Sequence, residues 1–318
     1  MAGAVLVEAA ASESPRSLNL VLTAATHGEM LPCGHCRLAA GGLARRAALI
    51  EASRDTADAV LAADGGDLFR KGGPDPQVDA YLLGQLVRLG YTALGVGEED
   101  LALGAGYLAE RARAEPGLVW VSANVVDAAT GKPLFAPYVV RPAAGARIGF
   151  TSCLEPKLWE GLPRHAPEVA VLEPVAALAA VVSAMRRECD LVVCLVHTRY
   201  LPLREILSRV EGIDIAVMSH APRVENYPQR IGNTRQVYFA GSDGRFVNWM
   251  HVELGPDGAA LGAGRTYYLI DGAAEDSTVA REILGFLGTR EAPAADDVDE
   301  EEEGGGDDGG GHPGGHPR

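Results

Sequence analysis

Five apolar runs in this chain each stop at a side chain able to bind a metal ion. "VLTAATH" ends at His27 and "AVLAADGGD" at Asp67, while "YTALGVGEED" ends at Glu98, Glu99 and Asp100. "LVVCLVH" ends at His197 and "IDIAVMSH" at His220. Carboxylates crowded together repel one another and resist leaving water. A divalent ion among carboxylates and imidazoles removes both problems, and such mixed N/O ligands suit Zn, Mn or Fe without choosing among them. Each residue also has a plainer use. A lone histidine at a strand end hydrogen-bonds its neighbours, Asp67 suits a turn, and Glu98 to Asp100 suit a helix start. It is the recurrence at five run ends that points to a metal centre.

Delivering these residues to one place is a matter of topology. Strands are predicted at 18–24, 59–63, 91–96, 118–123, 147–153, 191–196 and 213–218. Helices are predicted at 42–52, 77–89, 107–114, 174–187, and from Pro202 onward. Gln77 to Leu89 puts Val78, Tyr81, Leu82, Leu86 and Leu89 on one face, with Gly90 as its stop. Strands at 236–240, 247–254 and 265–270 follow, then a closing helix at 277–287. The alternation gives an α/β fold whose second half ends in antiparallel strands. In an open α/β sheet, ligands bind beyond the carboxyl ends of the strands, so the five run ends are expected to converge on one edge.

Composition narrows the class. Of 318 residues, 47% are hydrophobic and 22% charged, as in a soluble globular protein. No run approaches the ~20 apolar residues of a bilayer span, so no membrane role is expected. The net charge is −15, of which Glu291 to Arg318 carries −9 and the remainder −6, so nothing resembles a nucleic-acid footprint. That 291–318 tail is acidic and Gly/His-rich, and it is expected to be disordered. Residues 1–17 read as a flexible lead and 18–290 as the folded domain. No basic n-region precedes the first apolar stretch, so a cytoplasmic location is expected, with export open if the start is misassigned. Of five cysteines, Cys189 and Cys194 lie at or in an apolar run and read as buried thiols. Cys33-Gly34-His35-Cys36 has dithiol spacing, with loop-shaping, redox and metal-binding readings all open.

The order of "THG", "GGLARR", "ADGGDLF", "LGVGEEDLALG", "VSANVV", "LVVCLVH" and "GIDIAVMSH" resembles the calcineurin-like metallophosphoesterases, in their 5'-nucleotidase/UDP-sugar hydrolase branch. The resemblance runs from about Leu18 to Leu254. It implies a single-domain β-sandwich flanked by helices, with two metal ions at strand ends. It also implies an Asp-x-His pair, which reads Ala25-Thr26-His27 here, and a bridging aspartate, matched by Asp67. The Gly-Asn-His-Glu block reads Gly97-Glu98-Glu99-Asp100, and the Gly-His-x-His block reads Ser219-His220-Ala221-Pro222. One ion would then keep Asp67, Glu98, His197 and His220. The other would keep only His27 and Asp67, so one ion is expected rather than two. Glu99 stands at the position of the catalytic histidine and would serve as an acid if crowding by Glu98 and Asp100 raised its pKa. The pocket would be too negative for a phosphomonoester dianion unless Arg199, Arg45 or Arg46 compensates. Ser122 and Asn124 are read as holding a turn.

These features imply a metal-dependent phosphoester hydrolase acting on a small-molecule ester or nucleotide-like substrate. The alternative is a catalytically inactive relative that serves as a metal-binding, redox-responsive or partner-binding scaffold.

Overall fold

The computed structural model describes residues 16–34, 39–163, 166–221, 223–255 and 258–289. The expectations for residues 1–15, for His35 and Cys36, for Pro222 and for the 291–318 tail lie outside the described residues.

Two six-stranded sheets face each other. The first contains β1 (Arg16–Thr23), β2 (Ala59–Asp64), β3 (Tyr91–Leu94) and β4 (Val119–Trp120), which run parallel. Its other edge is made by the long antiparallel strands β13 (Phe246–Gly255) and β14 (Gly258–Tyr268), with β13 paired to β1. Two short strands, β5 (Val125–Asp127) and β8 (Val169–Val171), pair with each other apart from both sheets. The second sheet contains β6 (Val139–Ala143), β7 (Ala146–Leu154), β9 (Leu191–His197), β10 (Ile215–Met218), β11 (Gln229–Ile231) and β12 (Thr234–Phe239). Its central strands β7, β9, β10 and β12 are parallel, and β6 and β11 close its edges antiparallel.

Alternating side chains on the central strands explain the layers. Leu18, Leu20 and Leu22 of β1 meet Ile148, Phe150, Val193, Leu195, Ile215 and Val217 of the second sheet, forming a core between the sheets. Opposite-facing Val21 and Ala62 pack under α1 (Leu43–Arg54), α2 (Pro76–Leu89), the one-turn α3 (Glu98–Leu101), α4 (Ala105–Ala114), the short α5 (Pro156–Glu160) and α8 (Ser277–Gly288). On the far side Val192, Cys194 and Val196 pack under α6 (Pro174–Met185) and α7 (Tyr200–Arg209). The result is a β-sandwich with helices on both outer faces. α2 starts at Asp75, whose side chain accepts from the Val78 N–H, and ends at the left-handed Gly90.

Two sequence expectations need correction. The run ends do not share one sheet edge. His27, Asp67 and Glu98 follow strands of the first sheet, whereas His197 and His220 belong to the second, so the residues meet across the seam. The strand expected at 265–270 is the last part of a hairpin arm that begins at Gly258. No helix among the described residues is long and apolar enough to cross a membrane.

Candidate functional site

The loops leaving β1, β2 and β3 are tied together by their backbones. Ala25, His27 and Gly28 donate their N–H groups to the carbonyls of Gly66, Asp67 and Leu68 at 2.8, 3.0 and 2.8 Å. Asp100 binds the next pair of loops. Its carboxylate accepts the N–H groups of Asp67 (2.7 Å), Leu68 (2.9 Å), Phe69 (3.2 Å) and Gly97 (3.2 Å). The approach is close enough to demand glycine. A Cβ on Gly97 would sit 2.0 Å from Asp67 Oδ1, and one on Gly65 would sit 1.8 Å from Ser219 Oγ across the seam. Ala25, His27, Asp67 and Asp243 all adopt positive φ, between 49° and 57°. Non-glycine residues held in that region cost energy and cluster where the surrounding structure over-determines them.

Within this frame Asp67, Glu98, His197 and His220 each turn one ligand atom to a common point, all within 4.8 Å of one another. Asp67, Glu98 and His197 are buried, and the His220 side chain is 41% exposed. The Asp67 carboxylate lies 3.2 Å from His197 Nε2, and its Oδ1 accepts the Glu99 N–H at 3.0 Å. Glu98 Oε1 lies 3.3 Å from His220 Nδ1. His197 donates from Nδ1 to the Gly65 carbonyl at 3.2 Å, which leaves Nε2 facing the carboxylates. Nε2 and Glu98 Oε2 are both buried and lie 2.7 Å apart, an ion pair when the imidazole carries a second proton. Without that proton, two imidazoles and two carboxylates converging on one point suit a cation.

The electrostatics follow from this crowding. Burial would raise the carboxyl of Asp67, but His197 and His27 beside it hold it well below the usual range. Glu98 is likewise opposed by burial and brought down to about 2 by His197 and His220. Burial would lower His197, yet Asp67 and Glu98 lift it well above an ordinary histidine.

His27 stands beside this group rather than in it. Its Nε2 is 3.9 Å from Asp67 Oδ2, and its Nδ1 is 2.9 Å from Asp243 Oδ1. Asp243 is the residue that sequence reading missed. It comes from the loop between β12 and β13, and its N–H donates to the Ala25 carbonyl at 2.6 Å. Its carboxylate also accepts from Ser242 and from Arg245 at 2.7 Å. The structure therefore supplies His27 with a carboxylate from 216 residues away.

Glu99 sits at the rim with its carboxylate 3.7 Å from Lys71 Nζ. The carboxyl that crowding raises is Asp100, pushed up to about 7 by burial and by Asp67. Of the three arginines considered as charge compensation, Arg45 and Arg199 are paired with other carboxylates. Arg45 binds Glu275, the Ala39 carbonyl and Asp271. Arg46 is buried and donates to Thr26 Oγ1. Arg199 is clamped by Glu155, which accepts from its backbone N–H and its guanidinium. Ser122 accepts from the N–H groups of Asn124 and Val125, and Asn124 ties the Leu154 and Leu172 backbones together, so both hold a turn. Cys33 is disulfide-bonded, whereas Cys153, Cys189 and Cys194 are buried free thiols.

No protein-family model matches the chain. Over 255 residues it is 26% identical to the 2',3'-cyclic-nucleotide 2'-phosphodiesterase/3'-nucleotidase of Salmonella typhimurium, covering 70% of this chain and 39% of that protein. Over 217 residues it is 29% identical to the protein of the same description from Yersinia enterocolitica, covering 58% of this chain and 32% of that one. The chain thus spans well under half the length of these curated relatives. Among solved structures, the 5'-nucleotidase precursor from Thermus thermophilus superposes with a TM-score of 0.71 at 24% identity, over 86% of this chain and 58% of that one. The calcineurin-like phosphoesterase YfkN from Bacillus subtilis gives 0.71 at 18% identity, over 86% of this chain and 98% of its own. At such identities the solved structures speak for the fold, and the curated relatives add similarity in sequence. Sandwich and loop frame are thus the fold of the 5'-nucleotidase precursor and of the calcineurin-like phosphoesterase, and in sequence the chain is similar to the two cyclic-nucleotide phosphodiesterase/3'-nucleotidases.

Proposed function

We propose that the chain hydrolyses phosphoesters of nucleotide-like molecules with one divalent ion held by Asp67, Glu98, His197 and His220. The observation that carries this reading is the convergence of one ligand atom each from Asp67, Glu98, His197 and His220 within 4.8 Å of one another, three of the four residues being buried. The printed descriptions of the relatives, which are nucleotidases and phosphodiesterases, supply the substrate class. The N/O donor set fits Zn, Mn or Fe. When bound, such an ion supplies Lewis acidity and lowers the pKa of a water on it.

The chain's own residues do the rest. Gly65 fixes the His197 ring, so Nε2 is aimed before any ligand arrives. The N–H of Glu99 and the capped loop of Asp100 hold the Asp67 carboxylate still. The Glu99 carboxylate, at the rim beside Lys71, is placed to hand a proton to a departing alkoxide. His27, steadied by Asp243, borders Asp67 Oδ2 at 3.9 Å and can donate a hydrogen bond to a substrate oxygen there. With Arg45 and Arg199 paired to other carboxylates and Arg46 fully buried, a singly charged ester suits this pocket better than a dianion.

The test is ion stoichiometry together with turnover. One Mn or Zn per chain, lost in His197→Ala, is expected. So is hydrolysis of an aryl phosphodiester that Asp67→Asn abolishes and Glu99→Gln slows. A bound ion with no turnover across mono- and diesters would overturn the hydrolase reading in favour of a binding scaffold.

A further inference from the structure

A cavity of about 260 Å³ is lined by Tyr200, Met218, Arg223, Glu225, Gln229 and Phe239. Its floor is set by strand register. Met218 pairs laterally with Val196 on β9 and with Phe239 on β12, so all three lie side by side at the carboxyl ends of parallel strands. His197 is the next residue after Val196, and His220 is two beyond Met218. The cavity thus lies at the same carboxyl strand ends that deliver His197 and His220, on the α7 side of the second sheet.

The lining has a division of labour. Tyr200, the first residue of α7, is 43% exposed although it is a large ring, and it leans on the buried Phe239 with centroids 6.2 Å apart. Met218 is 1% exposed and completes an apolar wall. Arg223, Glu225 and Gln229 form no side-chain hydrogen bond or ion pair among the described residues. They contrast with Arg45, Arg199 and Arg245, whose guanidinium groups are all paired. An apolar wall with a few unspent, convergent polar groups is the usual make-up of a small-molecule site.

We propose that this cavity receives the base of a nucleoside leaving group, stacked on Tyr200. The inference rests on the phosphoester-hydrolase reading and names the part of the substrate that the metal cluster does not hold. The chemistry selects the occupant. A flat ring with polar edges matches an exposed aromatic wall, since every base has a π-face. Glu225 can only accept, so it suits an exocyclic amine. Gln229 can both donate and accept, and Arg223 can only donate, toward a ring carbonyl or the ester's own charge. A saturated alcohol leaving group could bond the polar groups but would leave the ring face of Tyr200 unused.

The experiment is titration of the full chain with adenosine, followed by NMR of the tyrosine rings and by calorimetry. Adenosine has no phosphate and needs no ion, so the titration reports on the cavity whether or not the chain hydrolyses anything. Saturable binding is expected, weakened about 5- to 150-fold in Tyr200→Ala and retained in Tyr200→Phe. Glu225→Gln is expected to reduce the preference for adenosine over inosine, which has an oxygen in place of the amine. Tyr200 is exposed enough for its variants to fold, which thermal melts would check. Absence of adenosine binding, or equal binding by Tyr200→Ala, would overturn the proposal. So would turnover of simple phosphate esters by a chain that ignores nucleosides, an outcome that leaves the hydrolase reading intact.

Discussion

If a cation seats between His197 and the two carboxylates, it must compete there with a proton. The Nδ1 of His197 is committed to the Gly65 carbonyl, so the titrating position is Nε2, the atom that faces Asp67 and Glu98. In the metal-free protein those carboxylates hold the His197 pKa well above its ordinary value, against the effect of burial. Neutral pH therefore finds a proton where the ion should be. Displacing one proton per ion makes the apparent affinity rise tenfold per pH unit while pH stays below the histidine's pKa, about 1.4 kcal/mol for each unit. The gain levels off once pH passes that raised pKa. Calorimetry with Mn or Zn in two buffers of different ionisation enthalpy gives the proton count directly. The sign for stability without metal is opposite. A raised histidine pKa stabilises fully below the unfolded value of about 6.5, and that contribution is lost as pH climbs through the folded value. A chelated sample should thus melt lower as pH rises above about 6.5, while its ion affinity grows. Zero proton release with a flat affinity from pH 6 to 8 would refute the placement of the ion on Nε2.

Other perturbations test the frame around the centre. Gly97→Ala puts a methyl 2.0 Å from Asp67 Oδ1 and should cost about 1–3 kcal/mol of stability, by denaturant melts, along with most of the ion affinity. Asp243→Asn removes the charge beside His27, so the raised pKa of that imidazole should fall in a histidine NMR titration. Arg199→Ala should leave affinity for inorganic phosphate unchanged, because the guanidinium serves Glu155, and the depressed Glu155 pKa should move up. Phe150→Ala, emptying a fully buried site between the sheets, should cost about 3–5 kcal/mol by the same melts.

How much of this was legible in the sequence depends on the range over which each feature is encoded. A strand that ends in a polar ligand is a local event, so the ends of "LVVCLVH" and "AVLAADGGD" could be read directly. Which sheet a strand joins is decided by packing of distant segments, and periodicity says nothing about it. That is why a single edge was expected where two sheets meet. Asp243 sits in "GSDGR", which reads as a turn, and only the folded chain reveals the histidine 216 positions earlier. The arginines failed for the same reason, since the partner of Arg45 is 230 residues away. Glu98 to Asp100 had two readings, and both apply. The segment is a helix start, and within it Asp100 faces backbone donors while Glu98 faces the histidines.

The division of the ligands between the sheets has a kinetic corollary. Each sheet is assembled largely from neighbouring βαβ segments, but neither carries a full donor set by itself. High-affinity ion capture during refolding would therefore be silent until the sheets dock. A fluorescent chelator present in the refolding mixture would act as a clock for that docking, separate from any spectroscopic sign that strands and helices have formed.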